Sequence, residues 1–151
     1  MALTDGYRID EGERNLQPIY PTSASAFVLL AQQGNSLKTA HEKLKSALDK
    51  GYEIRGHRFR PDRDIPSGRS EELDRFFNIL ENVGYAFSVY GTNQRRIHLN
   101  QAGIELLERK VLQCFIEDAE LTENFARDTG LKLQPIFQKY LEKFLDLSQT
   151  T

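Results

Sequence analysis

A chain of 151 residues lies near the modal length of one domain, so a single core is expected and two full domains are not. Apolar residues make up 39% and charged residues 28%, which excludes a chain disordered throughout; a single cysteine, Cys114, excludes an intrachain disulfide framework and a multi-cysteine zinc site. The net charge of −2 excludes a bulk polycation, so any nucleic acid must be bound through a local patch.

Residues 1–21 carry Gly6, Gly12, Pro18 and Pro21 without periodicity and predict a flexible N-terminal arm. Thr22 or Ser23 is placed to cap a short buried helix carrying Ala24, Phe27, Val28, Leu30 and Ala31, which Gly34 stops. Ser36 caps a second, amphipathic helix (Leu37, Ala40, Leu44, Ala47, Leu48) that ends at Gly51. The stretch 51–68 holds four arginines, His57, Pro61 and Pro66; Tyr52-Glu53-Ile54 is a possible extended piece, but Pro and Gly make the stretch a loop first.

A third helix begins near Ser70, with Leu73, Phe76, Phe77, Leu80 and Val83 as its apolar stripe and Gly84 as its end. Alternation over 85–90 and again over 95–99, around the turn-forming Gly91-Thr92-Asn93-Gln94, predicts a β-hairpin. Asn100 caps a long helix with Ile104, Leu107, Val111, Cys114 and Phe115 on one side. Leu121, Phe125 and Ala126 suggest a short helix closed by Gly130, and Pro135 opens a last one carrying Ile136, Phe137, Tyr140, Leu141, Phe144 and Leu145. That last helix is richly apolar for a chain end, and a second subunit would cover it.

Three helices, a hairpin and a following helix give an α+β, mostly α fold class in the order of a winged helix-turn-helix, whose third helix enters the major groove while the hairpin wing reaches the adjacent backbone. Leu73, Leu80-Glu81-Asn82-Val83-Gly84-Tyr85, Arg95-Arg96-Ile97-His98-Leu99-Asn100 and Gly103-Ile104-Glu105-Leu106-Leu107 follow one another in the manner of a winged-helix regulator phrase. With Phe27-Val28-Leu29-Leu30-Ala31-Gln32-Gln33-Gly34 before them, they make residues 22–112 resemble the PadR-like transcriptional regulators. The resemblance implies a homodimeric repressor of double-stranded DNA, with a winged-helix domain over 22–100 and dimerisation helices over 101–151; the basic insert at 51–69 departs from it, being longer than the family's usual link between the second and third helices. Leu107, Val111, Phe115, Phe137, Tyr140 and Phe144 are the expected dimer residues.

Residues 51–100 carry a net charge of +1 and 101–151 carry −3, and every cation in the first stretch is an arginine, whose planar fork suits phosphate and guanine. Arg95 and Arg96, with Asn93 in the turn, are candidate wing contacts; neighbours on a strand face opposite ways, so one arginine reaches the phosphate backbone or the minor groove while the other packs or pairs, the alternative being two solvated strand charges. Arg69, Ser70, Arg75 and Asn78 lie on the polar side of the third helix, as base contacts or as a solvated face. Arg58 and Arg60 either meet phosphate or belong to a loop whose arginines bridge Glu53, Asp62 and Asp64. The start of the third helix is acidic at Glu71, Glu72 and Asp74, and carboxylates repel phosphate; this motivates the alternative of a protein-interaction module without DNA.

His41, His57 and His98 lack ligand spacing, so no metal or other cofactor is expected. Cys114 belongs to packing. No glycine-rich phosphate loop, nucleophile elbow or triad is present, so an enzyme is not expected. No run approaches the roughly 20 apolar residues of a membrane span, and Met1-Ala2-Leu3-Thr4-Asp5 is unlike a secretory signal, so a cytoplasmic location without a membrane partner is expected. An effector is neither indicated nor excluded.

Overall fold

Six consecutive residues, Ala24 to Leu29, are buried in the first helix, α1 (Pro21–Ala31), which makes it the axis about which the other elements pack. Its start is set by Pro21, whose fixed φ suits the first helical turn and whose missing N–H would be unpaired there in any case. Tyr20 is the residue before it and gives no side-chain cap, so the expected capping by Thr22 or Ser23 is replaced by proline, and both lie inside the helix. The computed structural model describes residues 17–54, 71–91 and 94–150.

Helix α2 (Leu37–Leu48) starts where Ser36 Oγ accepts from the Thr39 amide at 3.1 Å, as its sequence predicts. Helix α3 (Glu71–Asn82) buries Leu73, Phe77 and Leu80, and Gly84, at φ +82°, turns the chain out of it. Two further strands are present, one in the expected arm and one at the extended piece that the sequence left open over Tyr52–Ile54. β1 (Gln17–Ile19) pairs in parallel with β2 (Tyr52–Ile54), Gln17 opposite Tyr52 and Ile19 opposite Ile54. The arm expected over 1–21 therefore ends in a strand, and the stretch expected as a loop begins with one. Neither has a partner nearby in sequence, and a parallel pair needs a long crossover, so no local period announces it.

The hairpin of β3 (Ala86–Gly91) and β4 (Gln94–Leu99) pairs Ala86 with Leu99 and Ser88 with Ile97. Alternation turns Ala86, Ile97 and Leu99 inward, while Phe87 and Val89 stay exposed. Helix α4 (Gln101–Glu117) is capped by Asn100, whose Oδ1 accepts from the Gly103 amide at 2.9 Å. Helix α5 (Ala119–Thr129) is capped by Asp118 and closed by Gly130 at φ +83°, and α6 (Gln134–Thr150) follows.

A single core runs from Ile19 through α1, α2 and α3 to Leu107 and Val111 of α4 and Phe125 of α5. Phe125 takes edge contacts from Phe27, at 5.1 Å between ring centroids, and from Tyr52, at 4.8 Å. Tyr52 also donates to Asp128 Oδ2 at 2.8 Å, and burial with that bond pushes its phenol well above the usual tyrosine range. Cys114 lies 8% exposed and burial raises its thiol, so it sits among packing residues. Among the described residues, no helix is long and apolar enough to cross a membrane.

Candidate nucleic-acid interface

Helix α3 has two faces because its apolar positions recur at 73, 77 and 80. Opposite the buried stripe it exposes Arg75, Asn78, Ile79 and Asn82; Val83, expected to continue the stripe, lies one residue past the end of the helix and is 57% exposed. The acidity expected to oppose DNA is partly turned inward. Asp74 Oδ1 lies 2.8 Å from Nε2 of His41, a residue of α2 that is 2% exposed, so this carboxylate is held toward the helix-turn-helix interior. Glu81 binds Arg95 through Oε1 and Ser88 through Oε2. Glu72 lines a shallow cleft with Pro21, Thr22, Arg75, Phe76 and Ile79, where α1 begins beside α3.

The two wing arginines point to opposite sides of β4, as expected, and both engage the protein. Arg95 lies on the face toward α3: Nε donates to Ser88 Oγ at 2.8 Å, Nη2 donates to Asn78 Oδ1 at 3.0 Å and to Glu81, and the guanidinium carbon rests 5.0 Å from the Phe77 ring centre. Arg96, on the other face, donates from Nη1 to the Gly34 carbonyl at 3.1 Å. Around that bond the turn between α1 and α2 is joined to β4: the Gly34 amide donates to the Ile97 carbonyl at 2.7 Å, and the Ile97 amide donates to the Asn35 carbonyl at 2.9 Å. An isolated antiparallel bridge also pairs Ser36 with Arg96 at the edge of the two-stranded wing.

Arg75 and Asn78 are thus together on the open face of α3, and Arg95 reaches Asn78 from the wing. Arg58, Arg60, Arg69, Ser70 and Asn93 lie outside the described residues. Of the expected dimer residues, Leu107 and Val111 are 0% exposed. The chain's own core encloses them, because α4 packs on α1, and this leaves them no surface for a partner. Phe115 and Phe137 pack on each other at 4.7 Å, Tyr140 is half-buried, and Phe144 lies on α6 with its side chain outside those described. Glu81 and Ser88 were not among the expected site residues. Their signal was present in the spacing: 78 and 81 share a helix face, and hairpin register sets 88 diagonally across from 95 on one strand face.

Among the described residues, no group of three or more His, Cys, Asp or Glu is placed to hold a metal ion. The three-helix unit, the hairpin joined to its first turn and the helix behind it define a generic winged helix-turn-helix architecture. No family model, curated protein or solved structure matches the chain.

Proposed function

We propose that the chain is a sequence-specific DNA-binding regulator, a repressor acting as a homodimer, with the open face of α3 in the major groove and the wing beside it. The carrying observation is the composition of that face. Arg75 places a guanidinium there, Asn78 and Asn82 place amides, and Ile79, with Val83 just past the helix end, suits thymine methyls; the carboxylates of Asp74 and Glu81 are bound within the protein. The phrase running from Leu80 to Leu107 extends this reading to a PadR-like regulator. Arg58, Arg60, Arg69, Ser70 and Asn93 are assigned further phosphate or base contacts on their sequence positions alone.

Selection of genomic fragments by the purified protein at ~150 mM salt tests the reading, because specific binding survives there while non-specific attraction fades. Enrichment of a motif with two half-sites is expected. Arg96→Ala is expected to lower the salt slope by about 1, as loss of one phosphate contact does; an unchanged slope removes this residue from the interface. One observation favours a second reading, a protein-interaction module: Phe87 is 51% and Val89 42% exposed on the outer wing face. A selection that enriches no sequence favours it.

The dimer is assigned to the outer side of α4 and α6. Helix α6 is held to α4 by the Phe115–Phe137 contact and by Lys139, which donates to Glu108 Oε1 at 2.8 Å, yet Ile116 and Leu141 remain 82% and 58% exposed. Sedimentation at micromolar concentration is expected to show a dimer, and Leu141→Glu a monomer. A wild-type monomer contradicts the assignment.

A further inference from the structure

Resting on the DNA-binding reading above, we infer that Asn78 is a donor-only base reader whose amide is oriented by Arg95, and that it selects guanine at one base pair of each half-site. The orientation follows from chemistry. A guanidinium has five N–H donors and no acceptor, so the atom of Asn78 lying 3.0 Å from Arg95 Nη2 must be its oxygen. The amide nitrogen, with two N–H groups, is then the end not facing Arg95. Asn78 is exposed on α3, so these donors are available at the helix surface.

The orientation is held firmly because Arg95 is itself held. Its Nε donates to Ser88 Oγ, its Nη2 is shared between Asn78 and Glu81, and the Phe77 ring lies under the guanidinium. Ser88 Oγ closes the circuit by donating to the second oxygen of Glu81. Four side chains from a helix and two strands thus fix one amide, the kind of support that precise recognition requires. The familiar pairing of asparagine with adenine needs the amide oxygen to accept from N6 while the nitrogen donates to N7. Here one side of that oxygen is occupied by Arg95. Guanine is the base that presents two acceptors side by side, N7 and O6, in the major groove, so it matches an amide offering donors alone. Arg95 is a positioning residue in this scheme, with no phosphate of its own.

The test is selection from randomised double-stranded DNA by full-length wild type, Asn78→Ala, Asn78→Asp and Arg95→Ala at ~150 mM salt, with competition binding to measure single-base preferences. Wild type is expected to prefer guanine at the position in question, by about tenfold, and Asn78→Ala to lose that preference while retaining the rest of the motif. Asn78→Asp keeps one oxygen for Arg95 and turns a second toward the base, so its preference is expected to move to a base presenting a donor, cytosine N4 or adenine N6. Arg95→Ala is expected to weaken the same preference, with no added loss in the Arg95→Ala/Asn78→Ala double variant and an unchanged salt slope. The inference is overturned if Asn78→Ala and Asn78→Asp select the wild-type motif, or if Arg95→Ala weakens all sequences equally and lowers the salt slope. A wild type that enriches no sequence overturns the DNA-binding reading and this inference with it. The Asn78 variants change an exposed side chain, so they decide the matter even if Arg95→Ala does not fold.

Discussion

Replacing Gly103 with alanine is expected to lower the melting temperature by roughly 6–12 °C, the shift that about 3 kcal/mol produces in a chain of this size. The sign is informative, because glycine to alanine inside a helix ordinarily stabilises by about 1 kcal/mol. At Gly103 a Cβ would lie 2.2 Å from the Tyr85 carbonyl oxygen and 3.1 Å from its carbon, and backbone cannot step aside as a flexible side chain can. The same carbonyl accepts from the Asn100 amide at 3.1 Å, so a displacement there also disturbs the start of α4. The glycine is therefore required for close approach of α4 to the chain entering the wing. Differential scanning calorimetry checks this, and an unchanged or raised melting temperature shows that α4 does not sit on Tyr85.

Phe125→Ala is expected to cost about 3–5 kcal/mol. Phe125 is 0% exposed and stands between Phe27 of α1 and Tyr52 of β2, so its removal leaves a cavity where three elements meet. The loss should appear in urea denaturation as a lower midpoint with little change in slope. A cost below about 1 kcal/mol means that α5 is not integral to the core. The expected outcome also implies that truncating the chain after α4 leaves the helix-turn-helix short of its packing.

Local signals made much of this fold legible. Ser36 and Asn100 cap their helices, as short polar side chains before amphipathic runs predict, and the alternation of 85–90 with 95–99 became a hairpin. What stayed hidden depends on partners distant in sequence. Tyr52 needs Gln17 to form a strand, and the turn after α1 is tied to Ile97 only once the wing folds back. Leu107 and Val111 were indistinguishable by pattern from surface-seeking apolar residues, because periodicity names a helix's apolar side without saying whether its own chain covers it. At the candidate site, Arg75 and Asn78 followed from the helical period. The binding of Arg95 to Glu81 and Asn78 did not, since it joins a helix and a strand through side chains 14 and 17 residues apart.

The bonds between the turn after α1 and β4 have a mechanical consequence. A wing hinged only at its base swings to meet a partner and loses that freedom on contact, at an entropic cost. Here the strand is stitched to the helix-turn-helix along Gly34, Asn35 and Ile97 and braced to α3 through Arg95 and Glu81, so the angle between α3 and the wing is set on folding. The pair acts as a caliper with a locked jaw. A partner that touches both elements must already match the gap or deform to fit it, and its stiffness then contributes to selection even where no side chain touches it.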